Sequence, residues 1–276
     1  MVRTVWAYFV GLVVTAYWSV RLLSHQAWVS RRPDGAQRQL VVGAKALKGW
    51  SRGILWGAGA KVEYEDDHLL PVGIPHILVA NHQSWFDVFA LAGTLKADVR
   101  FVGKKELAEI FMFGPAWLSA GHYAIDRSDR QAAINSLATI VDRMHEQSHA
   151  VVLFPEGTRS KDGTLGLFKK GAFVMAINAQ VPVVPLAVTG SKEIMPKGSW
   201  KVRRGVVKVR VGAPIPTEGL TLEDRNDLTR TAKRRVAELL EASGGPPSKL
   251  QGPGGSAEED PATPLVPQGT PVANSP

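Results

Sequence analysis

The sequence contains no cysteine, so disulfide bridges, thiolate metal sites and cysteine nucleophiles are all excluded. No Gly-x-Ser-x-Gly stretch occurs, which counts against the serine elbow of a lipid hydrolase. No GxxxxGK[ST] stretch occurs either, which counts against phosphoryl transfer. No internal repeat is visible. Acids are scarce beside bases: 33 Lys and Arg face 25 Asp and Glu, a formal charge of +8. The imbalance is uneven, because the last 36 residues hold four acids and only Lys249, leaving an excess of 11 positive charges in residues 1–240. Such an excess suggests an anionic partner, namely lipid headgroups, phosphorylated substrates or nucleic acid. No nucleic-acid-binding signature accompanies it, so nucleic acid is not expected.

What is present begins with an uncharged run, TVWAYFVGLVVTAYWSV at 4–20, bracketed by Arg3 and Arg21. As a helix it is about 25 Å long, short of the roughly 30 Å hydrocarbon core. It reads as a short spanning helix or one that dips into a single leaflet. Trp6, Tyr8, Tyr17 and Trp18 lie near its ends, where interfacial aromatics belong. A cleaved signal peptide is the competing reading, but Arg21 ends the run and no A-x-A site follows, so an anchor is preferred. From 36 to 56, Arg38, Lys45 and Arg52 recur every seven residues with Lys48 close by. Leu40, Val41, Ala44, Leu47, Ile54 and Leu55 fall on the other side. Such a helix rests on an anionic membrane surface or packs as an ordinary amphipathic helix, and its place after the anchor favours the membrane.

From Lys61 the pattern is globular. Strands are expected at 62–64, 77–80, 99–102, 151–154, 183–188 and 206–211. Helices are expected at 84–94, 105–111, 129–147, 169–178 and 222–240. This alternation predicts an α/β fold with a largely parallel central sheet flanked by helices, preceded by the membrane-associated helical segment. The expected divisions are membrane-anchoring helices at 1–57, a catalytic-type domain at 58–243, and a disordered Gly- and Pro-rich tail at 244–276.

The stretch HILVANHQSWFD at 76–87 organises the rest. Its apolar run stops at Asn81, and Ser84 followed by Asp87 has the spacing of a capping box. On one continuous helix His82 and Asp87 would stand about 140° apart. Only a strand–loop–helix corner brings the imidazole back onto the carboxylate, where it becomes a candidate general base. Taken alone, the plainer reading is that Asp87 caps the helix and His82 is a loop histidine.

Three further stretches change that balance. GHYAIDR at 121–127 places Arg127 just past a short extended segment. In VVLFPEGTRS at 151–160, Pro155 ends a strand, Gly157 permits a tight turn with exposed N–H groups, and Arg159 adds a planar fork suited to phosphate oxygens. Lys169 and Lys170 follow closely. VPVVPLAV at 181–188 is an apolar strand, either core or the wall of an acyl-chain site.

Together NHQSWFD, GHYAIDR, FPEGTRS and VPVVPLAV resemble, in order and spacing, the four motifs of glycerolipid acyltransferases, in particular the 1-acyl-sn-glycerol-3-phosphate (lysophosphatidic acid) acyltransferase family. The Lys104-Lys105-Glu106-Leu107 block is similar to a further family feature. The likeness covers about residues 35–240, and Tyr123-Ala124 departs from a bulkier apolar pair common in the family. The resemblance implies acyl transfer from a thioester, acyl-CoA or acyl-carrier protein, to a lysophospholipid hydroxyl. His82 would be the base and Asp87 its orienting partner. Arg127, Glu156, Gly157, Thr158 and Arg159 would bind the acceptor, with Lys104 or Lys105 adding charge for phosphate. No metal or organic cofactor is required by that chemistry. The expected partners are anionic membrane lipids and the thioester donor, with the active site on the cytoplasmic side. Glycerol 3-phosphate or a lyso-ornithine-type lipid as acceptor, or a non-catalytic lipid-binding protein, are the rival readings.

Overall fold

Two long helices open the computed structural model, which describes residues 1–126 and 130–246. They are α1 (Val2–Val29) and α2 (Gly35–Ala58). They run antiparallel along their whole length because α2 carries Gly49, Gly53 and Gly57 at four-residue spacing, one small stripe on one helix face. Trp18, Val14 and Val10 of α1 fill the places of the missing side chains. A Cβ on Gly53 would meet Val14 Cγ1 at 2.8 Å, and one on Gly57 would meet Val10 Cγ1 at 2.6 Å. Polar ties close the pair: Trp50 Nε1 donates to Thr15 Oγ1 at 2.9 Å, and His25 Nδ1 meets Gln39 Oε1 at 2.6 Å.

α1 is longer than the uncharged run, 28 residues, and is long and apolar enough to cross a membrane. Arg21 does not end it, because its guanidinium reaches out along the helix to the Tyr17 hydroxyl. The exposed side of α1 is apolar and aromatic, including Trp6, Phe9, Leu12, Val13 and Tyr17. α2 takes the ordinary amphipathic role instead. Leu47, Leu55 and Ala58 enter the domain core, while Arg38, Lys45 and Arg52 stay on the surface. Arg52 Nε also donates to the Gly93 carbonyl at 2.9 Å, tying α2 to the next helix.

After α2 ends in the left-handed Gly59, the chain alternates. The elements are β1 (Ala60–Glu65), β2 (His76–Ala80), α3 (Trp85–Thr94), β3 (Val99–Lys104), α4 (Phe113–Ser119), β4 (Tyr123–Ile125), α5 (Arg130–Gln147), β5 (Ala150–Leu153), α6 (Gly171–Ala179), β6 (Val183–Thr189), α7 (Ser191–Ile194), β7 (Gly205–Val211) and α8 (Arg225–Ala242). The strands form one seven-stranded sheet in the order β1-β7-β6-β2-β5-β3-β4. Every pairing is parallel except β6 with β7. The fold is therefore the expected α/β sandwich with a mostly parallel sheet.

Side chains of β2 divide between the two faces as a period of two requires. Leu78 and Ala80 pack with α2 and α3, while Ile77 and Val79 pack with α6 and α8. Burying each large aliphatic contributes about 1.5–3 kcal/mol. At the end of β2, Asn81 imitates one more peptide unit. Its Nδ2 donates to the Val188 carbonyl at 2.8 Å, and its Oδ1 accepts from the Val188 N–H at 2.7 Å. The sheet is thus held rigid up to the residue before His82.

One expectation needs correction. The segment 105–111 is not a helix: a single 3-10 turn, Lys105–Leu107, is followed by a tight loop, and α4 begins only at Phe113. The break lies at Met112, with φ of 59°, and at Gly114, which packs directly on the Ala108 carbonyl where no Cβ would fit. The extended segment before residue 127 is a true strand, β4, added to the sheet edge beside β3. The VPVVPLAV stretch is core: all seven residues of β6 are buried, between β2 and β7. The tail beyond residue 246 lies outside the described residues.

Candidate active site

β2 and β5 are adjacent and parallel, so the loops leaving their carboxyl ends meet above the sheet. This is where ligands bind in open parallel sheets. The β2 loop turns sharply into α3, with Ser84 as N-cap and Asp87 completing a capping box. Asp87 Oδ2 accepts from the backbone N–H groups of Gln83 at 2.6 Å and Ser84 at 2.9 Å. The same oxygen lies 2.7 Å from His82 Nδ1. Capping and orienting the histidine are therefore one arrangement rather than competing readings. Asp87 is fully buried, and its other oxygen, Oδ1, makes no hydrogen bond.

His82 is pinned from further directions. Its ring stacks on Phe154 with centroids 4.0 Å apart. Its backbone N–H donates to Glu156 Oε1 at 2.8 Å, and its carbonyl accepts from the Ser160 N–H at 2.7 Å. With Nδ1 committed to Asp87, Nε2 is the ring nitrogen left to act on a ligand.

The β5 loop supplies the second half of the site. Gly157 has φ of 71°, the left-handed region a tight turn requires. Glu156 spends both carboxylate oxygens on backbone groups, Oε1 on His82 N–H and Oε2 on Gly166 N–H at 2.9 Å. The first bond joins the β2 loop to the β5 loop, and the second lies within the β5 loop. Burial raises its pKa above the usual carboxylate range, partly offset by those two N–H donors. Lys233 of α8 faces it, and burial lowers that ammonium's pKa against the pull of Glu156.

Arg159 lies with its guanidinium 5.1 Å over the Trp85 ring, the first residue of α3. Lys197, which the sequence did not single out, holds this loop from the other side. Its Nζ donates to Thr158 Oγ1 at 2.9 Å and to the Arg159 carbonyl at 2.7 Å. Ser84 Oγ in turn donates to the Met195 carbonyl at 2.8 Å, so the 195–197 segment bridges the α3 cap and the Arg159 loop. Nothing local in the sequence pairs Lys197 with residues 38 and 39 positions earlier.

Lys104 and Lys105 stand at the end of β3, the next strand after β5. Lys104 is exposed, and Lys105 Nζ is bonded to Asp126 at 2.6 Å, which raises its pKa. Arg127 lies outside the described residues. Beside the corner opens a groove of about 710 Å³, walled by Tyr8, Leu12, Trp50, Trp85 and Phe89, with Arg159 at its edge. An apolar groove with one cation at its edge beside a His–Asp pair suits a molecule with an aliphatic chain and an anionic head.

Comparison with known proteins gives the family. A family model described as Acyltransferase matches residues 61–189. The chain is 36% identical over 166 residues to human 1-acyl-sn-glycerol-3-phosphate acyltransferase alpha, covering 60% of this chain and 59% of that protein. It is 33% identical over 204 residues to the sheep protein of the same name, covering 72% and 71%. The crystal structure of the 1-acyl-sn-glycerophosphate (LPA) acyltransferase PlsC from Thermotoga maritima superposes with a TM-score of 0.71 at 25% identity, covering 86% of this chain and 95% of that one.

Proposed function

The chain belongs to the 1-acyl-sn-glycerol-3-phosphate acyltransferase family, and from that premise we propose that it moves a fatty acyl group from a thioester to the free sn-2 hydroxyl of 1-acyl-glycerol 3-phosphate, giving phosphatidic acid. The observation that carries the reading is the His82–Asp87 pair set beside an apolar groove with Arg159 at its edge.

In this reading His82 Nε2 removes the proton from the acceptor hydroxyl as its oxygen attacks the thioester carbonyl. Asp87 keeps the proton on Nδ1 and stabilises the imidazolium that forms. The substrate oxygen is the nucleophile, so no enzyme serine takes part. Base assistance of this kind supplies about 10²–10⁴-fold in rate. The collapsing adduct expels the thiolate, and the imidazolium returns its proton to that sulfur. Arg159 binds the acceptor phosphate with the turn at Gly157 and Thr158, and Arg127 and Lys104 or Lys105 add positive charge. Glu156 holds the two loops in register. The groove receives an acyl chain.

The protein is membrane-associated through α1, whose outer side is apolar. The donor is acyl-CoA or an acyl-carrier protein, both acidic and both suited to the basic surface. The site faces the cytoplasm, where such thioesters are made, and anionic headgroups lie beside it. These assignments are tested together by thiol release from acyl-CoA, or from acyl-carrier protein, with wild type and His82→Ala side by side. Release that requires lysophosphatidic acid and is lost in the variant supports the reading. Release with glycerol 3-phosphate or a phosphate-free lyso-lipid instead would overturn the acceptor, and no release with either donor would overturn the activity.

A further inference from the structure

Four exposed apolar residues, Ile110, Phe111, Pro115 and Leu118, stand together on the outer side of the loop before α4 and of α4 itself. Phe111 is 88% exposed. It is not a loose side chain on a loose loop. The Phe113 N–H donates to the Phe111 carbonyl and the Gly114 N–H to the Ile110 carbonyl, both at 2.7 Å. Met112 holds a positive φ of 59°, a conformation that a non-glycine residue adopts only when its surroundings impose it. The chain thus accepts a strained turn that holds an aromatic ring out in the solvent.

We infer that the Ile110–Phe111 turn is a second lipid-inserting element, which enters the bilayer beside α1 and fixes how the catalytic face meets the membrane. Continuity with α1 identifies the occupant. The inner side of α4 packs on α1 through Ala116 and Ala120, against Leu22, Leu23 and Trp18. α4 therefore stands against α1, whose Tyr17, Val20 and Trp28 are likewise exposed. Charge does not compete as an explanation: Lys104 and Lys105 are balanced by Glu106 and Glu109, and Lys105 is bonded to Asp126. The contact is accordingly apolar and insensitive to salt.

One inserted helix leaves the domain free to roll about that helix, whereas a second contact removes the rotation. Seating 110–111 in the acyl region brings Lys104, at the end of β3, to headgroup level. This consequence for substrate rests on the proposed function; the insertion itself does not.

The absence of cysteine makes the test clean, since Phe111→Cys, Leu12→Cys and Glu238→Cys each carry a single environment-sensitive dye. Leu12 is on the exposed side of α1, and Glu238 is on α8 across the sheet. The labelled full-length proteins are mixed with phosphatidylcholine vesicles, with and without brominated acyl chains. The expected result is a several-fold rise in emission at positions 111 and 12, quenched by bromine and, at 111, retained at high salt, with no change at 238. A water-like signal at 111 while position 12 is quenched would overturn the inference, leaving α1 as the sole contact. A rise at 111 without vesicles, growing with protein concentration, would also overturn it in favour of self-association. Independently, Phe111→Ser is expected to weaken partitioning into these vesicles about tenfold. None of these readouts depends on acyl transfer, so failure here and failure of the proposed reaction are separable.

Discussion

Lys197 Nζ lies 2.9 Å from Thr158 Oγ1 and 2.7 Å from the Arg159 carbonyl, so one ammonium sets the loop that presents the guanidinium of Arg159. Lys197→Met should raise the KM for a phosphate-bearing acceptor roughly 5- to 20-fold while kcat changes little, the effect of losing a charged hydrogen bond of about 1–2 kcal/mol. Lys197→Arg, which keeps the charge, should recover part of the loss. Steady-state kinetics on lysophosphatidic acid would check both. An equal fall in kcat for every acceptor would mean that the residue only holds the fold.

Arg159→Ala should act on the same parameter more strongly, because it removes the candidate phosphate ligand itself. A rise in KM on the order of 10- to 100-fold is expected from the loss of a charge-assisted contact of about 1.5–3 kcal/mol. An unchanged KM for the phosphate-bearing acceptor would move the phosphate site elsewhere.

The double duty of Asp87 separates two substitutions. Asp87→Asn keeps an oxygen for the N–H groups of Gln83 and Ser84 but no longer favours the proton on His82 Nδ1. Turnover should fall on the order of 10⁴-fold, as it does when the same change is made in a serine protease triad, with little change in the melting midpoint. Asp87→Ala should lose activity equally and also cost about 1 kcal/mol from the lost cap. Parallel calorimetry and thiol-release assays would distinguish the two, and substantial turnover by Asp87→Asn would remove the orienting role.

Acid should destabilise the fold from a place remote from the site. Burial, reinforced by Arg100, lowers His122 to about 3, and burial does the same for His149, also to about 3. Asp98 pairs with Arg100, Tyr123 bonds to His149 at 2.9 Å, and Arg143 and His76 complete the charged surroundings. Both imidazoles are neutral in the fold and titrate near 6.5 once unfolded. Between those values the unfolded chain binds more protons, so their contribution is complete above about pH 6.5 and declines as pH falls toward 3. Denaturant titrations should show stability falling by up to about 1.4 kcal/mol per pH unit for each histidine. His149→Gln should flatten that slope, to which His76, also lowered by burial, contributes as well, and a slope equal to wild type would count against the assignment.

The glycine stripe predicts its own failure. Gly53→Leu forces a branched side chain into Val14 and should destabilise the helix pair by about 1–3 kcal/mol. Proteolysis in detergent should then cut between α1 and α2 while the sheet domain survives. An undisturbed pair would mean the stripe is incidental.

Much of this was legible in the chain itself. The sheet could be read because apolar strands and helices alternate at their proper periods, whereas the His82–Asp87 pairing was legible only through the resemblance that the four blocks carry together, since the spacing alone left a plain helix cap as the simpler reading. Other features depended on distance in space. Lys197 reaches residues 38 and 39 positions away, and no local pattern marks such a reach. The helix expected at 105–111 failed because its apolar spacing was compatible with a turn, and the deciding contact is the approach of Gly114 to Ala108. The apolar face of α2 divides in a way its spacing alone did not show, with Leu47 and Leu55 in the core and Val41 exposed. The spacing of Gly49, Gly53 and Gly57 was visible, but its meaning depended on α1 being the partner.

The close seating of α1 against α2 has one more consequence. A tethered enzyme would sweep a volume, and its turnover would follow the bulk concentration of acceptor. Here the hydrophobic helix and the sheet form one stiff body, with Arg3 bonded to the Ala58 carbonyl at 3.0 Å at one end and Gln39 to Ser119 at 3.2 Å at the other. On the proposed reading the His82–Asp87 corner is therefore carried at a constant height and would meet acceptor by lateral diffusion. Its rate would then follow the two-dimensional density of lysolipid, so diluting the surface with inert lipid is expected to slow it even when the total amount of substrate is unchanged.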